Sequence, residues 1–236
     1  MKWADFKERY EMFGWMGVAT AMCSVLINRI FYFDHLYLMT LSLVDTDPSF
    51  IQALPQFESG FMSEELIKHF AQNTKYHLHQ DFLNCALQNG DHCYGIRQGQ
   101  ELASYGWYST KATPVTSDFK IHFPPEYVYM HHGYTNPDFR GQRLHAYGMA
   151  HALQHFTDRN YKGLMSIVGG ENIASLKSTH RLGYRIVGRI YLFACMNHFF
   201  VFHDSGTRAF RTWLTPLRAD LKTFWNGPGP DQNKAA

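Results

Sequence analysis

The amino-acid sequence predicts an α/β protein built as layers, a mixed sheet flanked by helices. Three observations predict it. From Glu126 onward the chain reads strand, helix, strand, helix, strand, the order that builds a sheet through right-handed crossovers. Upstream, segments rich in strand formers at 36–44, 93–97 and 101–109 enclose helical stretches at 63–70 and 78–87. With 236 residues, 45% of them hydrophobic, the chain can fill one large core or one domain plus an appendage. No repeat occurs at the spacings of solenoids.

Residues 1–33 form a helical appendage. Trp3, Phe6, Tyr10 and Phe13 recur every three to four residues between Lys2, Lys7, Glu8 and Arg9, an amphipathic pattern. The uncharged run from Gly14 to Ile27 falls short of the about 20 apolar residues of a spanning helix. Ala19-Thr20-Ala21 imitates a signal-peptide cleavage site, but Asp5, Glu8 and Glu11 spoil the flank. A buried or partner-facing helix is expected, with contact to a membrane surface as the minority reading. Leu36 to Val44 is the first strand, ended by Asp45-Thr46-Asp47-Pro48. Ser63 caps a helix that buries Leu66, Ile67 and Phe70, and a second helix buries Phe82, Cys85 and Ala86. Cys93–Arg97 and Glu101–Ser109 make a hairpin across Gln98-Gly99-Gln100, and a long loop with three prolines follows from Thr110 to Pro125.

Glu126 to Thr135 is a central strand, in which alternation sets Tyr127, Tyr129, His131 and Gly133 on one face and Val128, Met130, His132 and Tyr134 on the other. A helix from about Gln142 to Asn160 carries Ala146, Met149, Leu153 and Phe156 as its core stripe. Leu164–Val168 is a short strand, Gly169-Gly170 a hinge, and Asn172–Leu182 a helix stopped by Gly183. Tyr184–Met196 and Phe199–Phe202 are strands, Thr207–Trp225 a last amphipathic helix, and Asn226–Ala236 a disordered tail. The division that follows is 1–33, 34–205, 206–225 and 226–236.

Function concentrates at the turn Asn136-Pro137-Asp138, where a strand delivers the chain to the front of a helix. Unpaired N–H groups and the positive end of the dipole favour an anion there, most usefully a phosphate. The run Thr135-Asn136-Pro137-Asp138-Phe139-Arg140-Gly141, then Asn172-Ile173-Ala174-Ser175 and Leu182-Gly183-Tyr184, resembles the acetyl-CoA-binding half of the GNAT acyltransferases. The resemblance implies a GNAT-like central sheet, mixed but mostly antiparallel, and acetyl-CoA or another acyl-CoA as co-substrate. It implies that backbone N–H groups of Gly133, Tyr134 and Thr135 polarise the thioester carbonyl. Arg140, Gly141, Gln142, Arg143, Leu144 and His145 would hold the pyrophosphate, Asn172 and Ser175 would line the pantetheine arm, and Lys177 is a further phosphate contact. The chain departs from the family pattern at Arg143, where Gly is expected, at His145, where Gly or Ala is expected, and at Thr179, where many relatives carry a tyrosine that reprotonates the thiolate.

For a general base, His131 and His132 titrate in the useful range, and Glu126 is the carboxylate alternative acting through water. Each histidine taken alone is more readily a packing or surface residue than a base. His151 and His155 have metal-ligand spacing but no accompanying ligands, and among 14 histidines such a pair arises by chance, so no metal is expected. His77-Leu78-His79 is expected to face solvent. Four scattered cysteines without a C-x-x-C pair indicate reduced thiols and a cytoplasmic location, membrane-peripheral in the minority reading. A net charge of +2 without a basic run gives no reason for nucleic acid. The expected partners are a small-molecule amine and, as a candidate, a second copy of the chain. Three functions stay open: transfer of an acetyl group to a small amine, transfer of a longer acyl chain or to a membrane-associated acceptor, and a GNAT-shaped binding module without catalysis.

Overall fold

The structure, a computed structural model, describes residues 3–27, 32–52, 54–195, 198–217 and 222–225. The tail expected at 226–236 lies outside them, as do the side chains of Trp3 and Phe6. Nine strands form one sheet in the order β12-β10-β9-β1-β8-β7-β4-β3-β2, and all its pairings are antiparallel except β7 with β8 and β10 with β12. The strands are β1 (Tyr32–Leu41), β2 (Glu58–Phe61), β3 (His92–Gln98), β4 (Glu101–Ser109), β7 (Tyr127–Thr135), β8 (Gly163–Gly169), β9 (Arg185–Cys195), β10 (His198–His203) and β12 (Lys222–Trp225). The mixed, mostly antiparallel sheet expected from the sequence is present. Its order holds a surprise: β1 lies between β8 and β9 in the middle of the sheet. Its alternating residues serve both layers, with Tyr37, Met39 and Leu41 in one core cluster and Leu38 in another.

Helices α4 (Leu144–Thr157) and α5 (Ile173–Leu182) cover one face. The expected stripe of α4, Ala146, Met149, Leu153 and Phe156, is buried there, each side chain contributing about 1.5–3 kcal/mol where it is large. Helix α1 (Trp3–Ile27) joins that layer, Phe13 stacking on Tyr37 at 5.1 Å. It breaks at Gly14 (φ 61°, ψ −160°), where the amphipathic stretch gives way to the uncharged one. On the opposite face α2 (Glu64–Ala71) and α3 (Gln80–Asn89) pack over Leu102, Tyr105 and Trp107 of β4. Ser63 caps α2 by accepting from the Leu66 N–H, as expected. On α3 the buried residues are Leu83 and Ala86, whereas Cys85 is exposed and Phe82 half-buried, a shift of the apolar stripe that leaves Phe82 at the edge of the layer.

Three expectations change. Leu43–Asp45 is a 3-10 turn instead of the end of β1, because Asp45 is tied down by Ser42 and Arg185. The loop 110–125 contains β5 (Thr113–Pro114) and β6 (Phe119–His122), and β6 pairs with both β5 and β11 (Trp213–Pro216) in a second sheet of order β11-β6-β5. The last amphipathic helix is absent: α6 (Ser205–Ala209) is a short turn of helix, Arg211 takes a left-handed φ of 48°, and β11 and β12 follow. Pro216 and the strand formers Thr212-Trp213-Leu214-Thr215 override the helical spacing, and Leu214 is sealed opposite Ile121.

Candidate active site

Strands β7 and β8 run parallel but pair only across Tyr127–Tyr129 and Gly163–Met165. Ser166 Oγ donates to the Met130 carbonyl at 2.9 Å where the pairing stops. Beyond it, β7 keeps β4 as its partner to Thr135 and β8 keeps β1 to Gly169, so the two strands turn unpaired edges toward each other. Such an edge offers main-chain donors to whatever enters the gap.

A bulge shapes the open end of β7. Between the pairs Gly106–Gly133 and Tyr108–Met130, one residue of β4, Trp107, faces two of β7, His131 and His132. The extra residue cancels one step of alternation. His131 and His132 therefore lie on the same face, both rings against Phe82 of α3 at 6.0 and 4.5 Å, instead of on opposite faces as alternation predicts. Gly133 turns to the other face, toward Met130 and His145.

The turn after β7 is built by Asn136, buried, whose side chain accepts from the Asp138 N–H at 3.2 Å. Arg140 Nε donates to the Thr135 carbonyl at 3.4 Å, and Arg140, Gly141, Gln142 and Arg143 are exposed ahead of α4. Gly141 (φ 83°) and Arg143 (φ 60°, ψ 18°) are both left-handed. Arg143 thus holds the backbone shape a glycine adopts freely, at a cost of about 1–2 kcal/mol. Leu144 is sealed in the core, so only its backbone belongs to the loop. The His145 ring fills the space over Gly133: a Cβ there would sit 2.2 Å from His145 Cε1. Burial pushes the pKa of His145 down to about 4, which makes this a neutral imidazole. The arginine leaves the loop open; the imidazole narrows its inner side.

At the start of α5 the Asn172 side chain accepts from the Ser175 N–H at 3.1 Å, and Lys177 follows half-buried on the same helix. Thr179 is buried, its hydroxyl bonded back to the carbonyls of Ser175 and Leu176 at 3.0 Å, so it has no proton directed at the gap. Glu171 pairs with Arg9 of α1 at 3.2 Å, a contact that no spacing in the sequence signals.

Of the candidate bases, His132 is exposed beside the gap with Nε2 3.4 Å from Tyr105 Oη. Desolvation, then the neighbouring His131, His79 and His77, lowers its pKa, so it is neutral at neutral pH. His131 has Nε2 3.1 Å from Asp91 Oδ2, a buried pair at ion-pair distance whose atoms are not aligned as a hydrogen bond. Asp91 also accepts from Asn89 Nδ2 at 2.8 Å. The sequence showed Asp91 only as part of a turn. Glu126 is removed from the site: it stands at the paired end of β7, roughly 20 Å from Gly133 at the rise of a strand. There it meets Arg211 at 3.0 Å and Lys162 at 3.6 Å, and its pKa is lowered, first by its own backbone N–H and then by these two cations.

His77 and His79 are exposed as expected, yet the His77 ring packs tilted against Tyr134 at 5.3 Å. His151 and His155 do not converge on a metal: one reaches the Gln52 carbonyl at 3.4 Å and the other packs on Phe61 at 4.4 Å. Among the described residues no group of three His, Cys, Asp or Glu side chains could hold a metal ion, and no helix is long and apolar enough to cross a membrane.

Residues 56–184, more than half of the chain, match the model of the acetyltransferase (GNAT) family. No curated protein sequence matches. Similar solved structures include a GCN5-related N-acetyltransferase-like protein from Streptococcus suis, at 13% identity and a TM-score of 0.46 over 75% of this chain and 67% of that one. A GNAT-family acetyltransferase from Colwellia psychrerythraea is 14% identical, with a TM-score of 0.45 over 68% of this chain and 56% of that one. A GCN5-related N-acetyltransferase from Kribbella flavida is 13% identical, with a TM-score of 0.45 over 74% and 63%. The chain thus spans between about half and two thirds of these proteins' lengths. With the family pattern on the turn after β7 and the family match running from β2 to the end of α5, the chain belongs to the GNAT acetyltransferase family.

Proposed function

We propose that the protein transfers an acyl group, most simply acetyl, from acyl-CoA directly to the primary amine of a small molecule. The observation that carries this reading is the gap between β7 and β8 with a neutral imidazole, His132, at its lip. The diphosphate lies against the main chain and Arg140 between residues 140 and 145, and the pantetheine arm enters the gap past Asn172 and Ser175. The carbonyl oxygen accepts from N–H groups along Gly133–Thr135, where charge develops. His132 takes the proton of the attacking amine, the C–N bond forms as the C–S bond breaks, and the thiolate leaves, later taking up a proton from solvent. Titration calorimetry with acetyl-CoA tests the binding half: binding by the unaltered protein, weakened at least tenfold by Arg140→Ala, supports it. Release of thiol in the presence of amines tests the chemistry.

A second reading, a GNAT-shaped module without catalysis, is favoured by His145 lying on Gly133 and by the inward-bonded Thr179 hydroxyl. Absence of acetyl-CoA binding by the unaltered protein selects it.

A further inference from the structure

Five rings, His132 among them, follow one another in continuous contact. In order they are His77, Tyr134, Tyr105, His132 and Phe82, with successive centroids 5.3, 5.5, 6.0 and 4.5 Å apart. Tyr105, buried, is inclined by only 29° to Tyr134 and 27° to His132, so the middle of the series is a run of offset-stacked rings. Both phenol hydroxyls are committed elsewhere. Tyr134 donates to the Lys75 carbonyl at 2.6 Å and Tyr105 to the Tyr76 carbonyl at 2.8 Å. Tyr105 lies behind the wall that the others form, so what the wall presents is the π surface of His77, Tyr134, His132 and Phe82. His77 holds its place through a left-handed backbone (φ 55°), a conformation that costs a non-glycine residue and marks the position as specified. None of the five side chains is a carboxylate; the charges acting on Tyr134 are Arg140, Lys75 and Asp138, and Lys75 is paired with Glu101.

Resting on the reading of His132 as the base, we infer that the acceptor is a primary amine carrying an aromatic ring on a short chain, the ring packing on Tyr134, His132 and Phe82, which Tyr105 supports from behind. A flat ring gains offset stacking and apolar burial there, the ammonium proton is left to solvent on entry, and the neutral amine is delivered to the imidazole that takes the proton released on attack. A polyamine would bring further charges toward Lys75 and Arg140 with no carboxylate among the rings to receive them. A plain alkyl amine of the same length would gain burial without stacking.

Calorimetry in the presence of CoA, with 2-phenylethylamine, hexylamine and spermidine as ligands, tests the inference without requiring turnover. The expected result is 2-phenylethylamine binding at least tenfold tighter than either competitor, with the preference over hexylamine falling at least fivefold in Tyr134→Leu and kept in Tyr134→Phe. Phe82→Leu, at the other end of the wall, gives an independent loss should Tyr134→Leu not fold. Equal affinity for hexylamine, tighter binding of spermidine, or no amine binding overturns it. Acetyl-CoA titrated into the same preparation separates the two claims: aromatic amine bound without acetyl-CoA binding sinks the transferase and leaves the wall's specificity standing, and the reverse outcome does the opposite.

Discussion

The two ends of β7 have the same strand backbone and opposite fates. At its beginning, Tyr127–Tyr129 pair with β8, Gly163 has its α-carbon against the Leu41 carbonyl, and Glu126 is neutralised by Arg211 and Lys162. At its end the pairing with β8 is gone, a bulge turns two histidines to one face, and a histidine side chain fills the place of a missing Cβ at Gly133. One end spends its hydrogen bonds and charges on the fold; the other keeps donors and a neutral base in reserve. Titratable groups on one strand are thus sorted into structure and chemistry by their neighbours, since side-chain type alone treats Glu126 and His132 as equal candidates.

The largest expected effect comes from testing those two directly. His132→Ala should lower kcat about 100-fold or more with acetyl-CoA affinity unchanged, in the range of a lost general base, whereas Glu126→Gln should leave kcat within about twofold. Thiol release under saturating donor reads both, and similar losses would erase the contrast. The glycines at the two ends sharpen it. Gly163→Ala meets backbone, the Leu41 carbonyl at 2.2 Å, and should destabilise by about 1–3 kcal/mol with no simple rescue. Gly133→Ala meets side-chain ends alone, the His145 ring most closely and then Met130 Cε at 3.1 Å, so His145→Ala in the same chain should restore most of the stability in urea melts.

Acid should act on the open end as well. His145 has a folded-state pKa of about 4, below the ordinary 6.5 of a histidine, so below about pH 6.5 the unfolded chain binds the proton more readily. Its contribution is full above pH 6.5 and is lost as pH falls toward 4. Urea melts across that window should show a shallower pH slope in His145→Ala. For His132, whose pKa is also lowered, the acid limb of kcat/KM should fall below pH 6.5, and a limb above that value would contradict a desolvated base. The smallest effect is expected from Arg143→Gly, which removes a left-handed non-glycine and should stabilise the native fold by about 1 kcal/mol while acetyl-CoA binding weakens for want of the guanidinium.

Much of this was legible before any coordinates. The breaker cluster Asn136-Pro137-Asp138, the stripe Ala146-Met149-Leu153-Phe156 and the cap at Ser63 follow from local propensity, and each occurs where the sequence put it. The facing of His131 and His132 was not legible, because a bulge depends on the register of two strands that no single strand's pattern encodes. Asp91, Tyr105, Phe82 and Arg9 escaped for a related reason: each matters through a residue distant in the chain. The C-terminal segment misled in the opposite direction, its helical spacing yielding to strand partners at β6 and β10.

By itself the sequence determined the run of elements from β7 to α5, the anion-favouring turn at the front of α4 and the family pattern on it, since these depend on residues close together along the chain. Only the tertiary structure decided that β1 lies between β8 and β9, that β7 and β8 part after Met165, and that the neutral imidazole of His132 stands in a wall of rings. Those outcomes are set by strand order, register and desolvation, which come into being only when distant segments pack.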